Sequence, residues 1–279
     1  MSDILHKTVK IADRFDVSNS LPIFVIAGPC MMESEKHVMF MAEELKKITS
    51  KLNINFVFKS SFDKANRSSI NSSRGLSIDE GCRIFEKVKS ELDVPVITDI
   101  HETYQVGILK DIADVLQIPA LLSRQTDLLV AAGKSGKPVH VKKGQFMAPR
   151  DMKNVAQKIA STGNDKIMLC ERGTSFGYNR LVNDMTGLPV MASTGYPVVF
   201  DATHSVQEPS VNGTCSGGNR ELVETVARAA TATGIAGLFF EVHDNPDTAP
   251  CDGPNMIYLS KFESLLSRLQ QIDFLVKNF

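Results

Sequence analysis

Short apolar runs rich in β-branched and aromatic residues punctuate this chain. They lie at 23–28 (IFVIAG), 55–60 (NFVFKS), 94–100 (VPVITDI), 114–119 (DVLQIP), 139–144 (VHVKKG), 166–173 (KIMLCERG), 197–204 (PVVFDATH) and 237–243 (GLFFEVH). Their length and composition predict buried strands. Helical spacing fills most of the gaps between them. Over 34–52, Val38, Met41, Leu45 and Ile48 fall at i, i+3, i+7 and i+10, behind Ser34, a residue suited to cap a helix start. The stretches 77–92, 103–111, 126–132, 150–161, 219–233 and 260–275 behave similarly. The pattern over 177–194 is weaker and reads mostly as loop.

Strands that alternate with helices predict parallel strands joined by crossovers. Eight such units in 279 residues predict an α/β chain closed into a (β/α)₈ TIM barrel. An open doubly wound sheet is the alternative. The phosphate-loop fingerprints GxGxxG and GxxxxGK[ST] are absent, which weighs against it. Residues 1–20 form an N-terminal extension, in which KTVKIADRFDVS alternates and predicts a short hairpin closing the barrel floor. No linker, repeat or low-complexity tract interrupts the sequence, so 1–279 reads as one barrel domain.

Composition narrows the class. The hydrophobic fraction is 43%, enough for a large core, and the formal net charge is −1. There is no basic excess to neutralise nucleic-acid phosphates. No apolar run approaches the roughly 18 residues of a membrane span. The N-terminus mixes charges and lacks a signal-peptide apolar region, which points to the cytoplasm. Five cysteines without a CxxC are no disulfide framework and imply a reducing compartment.

In such barrels, function collects where strands end and helices begin. Those ends carry Cys30, Lys59 with Lys64, Asp99 with His101, Gln117, Lys142 with Lys143, Glu171 with Arg172, Asp201 with His204, and Glu241 with His243. Buried charges are costly unless paired or engaged. Lys59, Lys64, Arg67, Arg124, Lys142 and Arg172 together imply an anionic ligand with two phosphates, or a phosphate and a carboxylate. Taken singly, each reads equally as a solvated rim residue. Cys30, His204, Glu241 and Asp252 are donors suited to a divalent transition metal, brought together only if the barrel closes. His204 alone reads as well as a hydrogen-bonded rim histidine. Cys251 is the rival thiolate. If 251–252 is extended, consecutive side chains point apart, which favours Cys30.

Several segments resemble the 3-deoxy-D-manno-octulosonate 8-phosphate synthase family: FKSSFDKANRSS (58–69), TDIHE (98–102), QIPALLSRQTDLL (117–129), VKKGQF (141–146), ERGTSFGYN (171–179), DATHSVQ (201–207) and CDGPNM (251–256). The resemblance runs from about Pro22 to the C-terminus, and KANRSS is its most specific part. It implies a (β/α)₈ homotetramer that condenses phosphoenolpyruvate with D-arabinose 5-phosphate, a step in lipopolysaccharide sugar biosynthesis. The related synthase acting on erythrose 4-phosphate in the aromatic pathway is the alternative, though its sequence differs in that loop. The resemblance further implies that Lys59, Lys64, Lys142 and Arg172 clamp phosphoenolpyruvate. Asn66, Arg67 and Ser68 take the arabinose phosphate, with Gln117 also at the substrate. Arg124 reaches the site from, or near, a neighbouring subunit. Lys64, Asp99, His101, Lys142 and His204 are the expected catalytic groups. Cys30, His204, Glu241 and Asp252 match the ligands of the metal-dependent branch, with Zn, Fe, Mn, Co or Cd as the ion.

Overall fold

The computed structural model describes residues 5–67, 69–211 and 216–278. Eight parallel strands form the barrel: β1 (Phe24–Gly28), β2 (Phe56–Lys59), β3 (Val96–Asp99), β4 (Val115–Ile118), β5 (Val139–Lys142), β6 (Ile167–Glu171), β7 (Val198–Asp201) and β8 (Gly237–His243). Each pairs with its sequence neighbours, and β8 closes the ring on β1 with Glu241 opposite Gly28. The open-sheet alternative is thereby excluded. The two-residue strand Ile257–Tyr258 adds to the upper end of β8.

Outside the ring run α1 (Glu35–Lys51), α2 (Ile78–Leu92), α3 (Thr103–Leu109), α4 (Thr126–Lys134), α5 (Met152–Ala160), α6 (Gly187–Ala192), α7 (Val223–Thr231) and α8 (Leu259–Lys277). Ser34 caps α1 as its position predicts, its hydroxyl accepting from the His37 N–H at 3.2 Å. The weak stretch 177–194 is not all loop. It contributes one strand of a small hairpin, Thr174–Ser175 with Leu181–Val182, and then the six residues of α6. Pro189 within so short a helix explains why no periodicity announced it.

Strand side chains alternate between two cores. Val25, Ala27, Phe58, Val96, Leu116, Val139, Val141 and Leu169 face outward into the helices. Phe24, Ile26, Val57, Ile97, Val115, Met168, Cys170, Val199 and Phe239 face inward. The N-terminal strands Val9–Ile11 and Phe15–Val17 pair antiparallel, and Val9, Ile11 and Val17 join that inner cluster. The alternating segment therefore does close the barrel floor.

Candidate active site at the barrel mouth

The inward row does not stay apolar. On six strands the last inner hydrophobe is followed two residues later, on the same face, by a polar group: Val57 then Lys59, Ile97 then Asp99, Val115 then Gln117, Cys170 then Arg172, Val199 then Asp201, Phe239 then Glu241. On β5 His140 precedes Lys142 in the same way. Register aligns these rows around the ring, with Asp99 opposite Gln117 and Lys142 opposite Cys170. Lys59, Asp99, Gln117, Lys142, Arg172, Asp201 and Glu241 are all buried. Above them opens a cavity of about 400 Å³, lined among others by Lys64, Asn66, Arg67, His101, His204 and Asp252.

Pairing within this layer is dense. Lys142 Nζ donates to Asp201 Oδ2 at 2.6 Å, and His204 Nδ1 meets the same oxygen at 2.7 Å. Burial opposes the Asp201 carboxylate, yet His204 and Lys142 hold it well below the usual carboxylate range. Burial likewise works against the His204 and Lys142 cations, but Asp201 leaves both raised. Asp99 accepts from Ser61 Oγ and Gln117 Nε2. Burial works against its charge too, but Lys59 and Lys64 hold it ionised. Lys59 donates to the Cys30 carbonyl at 3.0 Å and lies 3.4 Å from Glu241 Oε1. Burial, with the Lys64 charge added, brings it down to about 8. Burial lowers His101, which favours its neutral form, and lowers Arg172. Arg172 donates to Gln207 Oε1 at 2.9 Å, while its Nη1 is buried without a partner among the described residues.

Of the proposed metal ligands, His204 Nε2 lies 3.6 Å from Glu241 Oε1 and 3.7 Å from Asp252 Oδ2. Cys30 Sγ lies 3.4 Å from Asp252 Oδ2. These donors form two triads that share Asp252, one with Cys30 and Cys251 and one with His204 and Glu241, and Glu241 Oε2 is buried without a partner among the described residues. That donor set fits a divalent ion. Gly28 permits β1 to pack closely on the end of β2, because a Cβ there would stand 1.9 Å from the Lys59 carbonyl oxygen.

Two expectations need correction. Cys251 does not point away, nor are the cysteines all unpaired: its Sγ is bonded to Cys30 Sγ, with the Cα atoms 6.5 Å apart. The cause is Asp252, whose φ of 50° is left-handed, so the segment turns rather than extends and both side chains face the mouth. A metal-bound Cys30 must be a thiolate, so the fit applies to the reduced pair. The six cations do not all share one wall: Arg124, in contrast to the other five, is exposed and outside this protomer's cavity, and its carbonyl accepts from Lys158 Nζ at 3.1 Å. Ser68 lies outside the described residues. The candidate residues omitted Asp201 as a partner of Lys142 and Gln207, which bridges Arg172 and Asp252 at 2.9 Å each. The DATHSVQ segment, which contains both, was the available signal.

The DAHP synthetase I family model matches residues 9–278. The chain belongs to this family. Among its relatives, a 2-dehydro-3-deoxyphosphooctonate aldolase of Chelativorans sp. (strain BNC1) is 56% identical over 261 residues, 94% of this chain and 95% of the relative. Relatives of the same name from Rickettsia felis and Brucella anthropi are 55% and 54% identical. They cover 98% of this chain each, and 99% and 98% of their own lengths.

Proposed function

We propose that this protein condenses phosphoenolpyruvate with D-arabinose 5-phosphate and water to give 3-deoxy-D-manno-octulosonate 8-phosphate and inorganic phosphate, a step towards lipopolysaccharide sugar. The names of its relatives support this substrate pair over erythrose 4-phosphate. The carrying observation is the cavity wall: Lys59, Lys142 and Arg172 are buried there, Lys64 stands beside them, and Arg172 keeps an unpartnered buried donor. That is a wall built for an anion.

In this reading Lys59, Lys64, Lys142 and Arg172 bind phosphoenolpyruvate. Asn66, Arg67 and Ser68 take the sugar phosphate, and Gln117 contacts substrate. Carbon 3 of phosphoenolpyruvate attacks the aldehyde carbon, and holding the two together contributes about 7–11 kcal/mol. Negative charge grows on the aldehyde oxygen and positive charge on carbon 2. The lysines answer the first and the carboxylates the second. Water adds at carbon 2, and carbon–oxygen cleavage then releases phosphate. His101, neutral through burial, sits beside ionised Asp99 and is suited to accept the water's proton. Lys64, Lys142 and His204 complete the catalytic set. Cys30, His204, Glu241 and Asp252 would hold a Zn, Fe, Mn, Co or Cd ion, which when bound orients the aldehyde and acidifies a bound water.

Residues 1–279 act in this reading as one barrel domain in a homotetramer, in which exposed Arg124 would reach a neighbouring subunit's site. The reading includes a cytoplasmic location, where a reducing environment would keep Cys30 a free thiol. No helix among the described residues is long and apolar enough to cross a membrane. The test is phosphate release with arabinose 5-phosphate and with erythrose 4-phosphate, with and without chelator, under reductant. Turnover with the five-carbon sugar, lost to chelator and restored by Mn²⁺, Co²⁺ or Cd²⁺, is expected. Preference for erythrose 4-phosphate would overturn the substrate, and full activity without metal would overturn the ligand set.

A further inference from the structure

Outside the cavity wall, a second group of donors spans the loop after β1, the first turn of α1 and the end of β8. Glu33, His37 and His243 place one ligand atom each within 4.8 Å of one another. Their geometry with Asp244 is specific. His37 Nε2 is 3.0 Å and His243 Nδ1 is 3.1 Å from the same oxygen, Asp244 Oδ1. On the opposite edges of the two rings, His243 Nε2 is 2.7 Å and His37 Nδ1 is 4.0 Å from Glu33 Oε1. The ring centroids are 4.6 Å apart. One carboxylate thus lies behind both imidazoles while the other faces them from the front.

His37 exposes the tension. With its proton on Nε2 and given to Asp244, the Nδ1 lone pair faces a carboxylate oxygen. That Nδ1 is buried and has no hydrogen-bond partner among the described residues. Two electron-rich atoms aimed at each other call for something positive between them. We propose that Glu33, His37 and His243 bind a divalent transition metal of the zinc type, with Asp244 orienting both imidazoles.

The donor set is two imidazoles and a carboxylate, which in zinc sites leaves a fourth position for water. A carboxylate behind each ligating histidine is the arrangement that fixes ring orientation and tautomer in such sites. Ligand bonds of about 2.0–2.2 Å imply ligand–ligand edges of roughly 3.3 Å. The observed 2.7 and 4.0 Å edges bracket that, so small side-chain rotations suffice. One contact opposes loading: the Asn245 N–H donates to His243 Nδ1 at 2.9 Å. Binding requires the proton on Nδ1 instead, where Asp244 Oδ1 accepts it. This site is separate from the mouth ligands, although Glu33 follows Cys30 by three residues and His243 follows Glu241 by two.

The test counts metal. Full-length protein, stripped with chelator and kept reduced, is dialysed against buffered Zn²⁺ and analysed for bound metal. Wild type is expected to hold one equivalent more than His37→Gln, with turnover of that variant unchanged. Cys30→Ala is expected to keep the His37-dependent equivalent, and Cys30→Ala with His37→Gln to lose it. Asp244→Asn, which keeps all three ligands, is expected to weaken Zn²⁺ at this site by about 10–100-fold. Thermal melts confirm that each variant is folded, and Glu33→Gln replaces His37→Gln should the latter fail to fold. Metal content that His37→Gln leaves unchanged, both in the wild-type chain and in the Cys30→Ala variant, overturns the proposal. A loss on His37→Gln with none on Cys30→Ala would instead sink the mouth ligand set and leave this site standing.

Discussion

The lower and upper halves of the barrel interior are made by the same strands and differ by one step of the pleat. Below, Val57, Ile97, Val115, Val199 and Phe239 meet Val9, Ile11 and Val17 from the hairpin in a dry cluster. Above, Lys59, Asp99, Gln117, Asp201 and Glu241 stand on the same inward face, equally shielded from water. Hydrocarbon below lowers the free energy of the fold by roughly 25 cal/mol for each Å² removed from water. Charge above does the reverse unless every group is answered by another. The two halves are therefore held by different means, one by area and one by pairing. In the second, Arg172 Nη1 and Glu241 Oε2 stay buried without a partner among the described residues.

The sharpest way to break this contrast is to remove the centre of the pairing. Lys142→Ala deletes the ammonium that Asp201 and the cavity share. Turnover is expected to fall by about 10²–10³-fold or more, comparable to losing a key electrostatic group in other enzymes, and calorimetry should show weakened phosphoenolpyruvate binding. Unchanged affinity would mean the anion wall lies elsewhere. Next comes the floor. Ile11→Ala is expected to cost about 2–5 kcal/mol by urea unfolding and to leave kcat of the folded enzyme unaltered. A fall in kcat would show that the halves are coupled. Arg67→Ala tests the rim, where the guanidinium is tied to the Ser73 and Pro250 carbonyls at 3.0 and 3.1 Å. It is expected to raise KM for arabinose 5-phosphate by a charge-assisted contact, about 1.5–3 kcal/mol, with far less effect on phosphoenolpyruvate. Steady-state kinetics with each substrate varied would reveal equal effects, and those would reassign the loop.

The layering was readable in the chain itself because parallel strands carry no register ambiguity beyond period two. Apolar runs ending in Lys, Asp, Glu or His announced both the strand and the end that matters. The resemblance supplied residue roles that spacing could not. What stayed hidden depended on single backbone angles. Asp252 at positive φ reverses the direction of Cys251, and no pattern of residue types states that. The Asp201 bridge was hidden differently: a carboxylate among cations reads as one more charge until distance shows it shared by Lys142 and His204. The Glu33, His37 and His243 group stood unnoticed because its three members come from three elements.

The floor hairpin also says something about the order in which this chain can be finished. Its anchors are made last. Asn19 Oδ1 accepts from the Val198 N–H at 2.8 Å, and its Nδ2 donates to the Tyr196 carbonyl at 2.9 Å. The strand that the hairpin leads into is tied in the same way: at the start of β1 the Phe24 N–H donates to the Ala236 carbonyl at 3.1 Å, and just before it the Ile23 N–H donates to Asp273 at 2.9 Å across 250 residues. During synthesis the stopper leaves the ribosome before the barrel strands and must wait, apolar side out, until β7 and β8 arrive to receive it. Sealing the bottom of the barrel is thus the closing act of assembly, and a nascent chain interrupted before β8 would carry its own plug as an exposed, adhesive end.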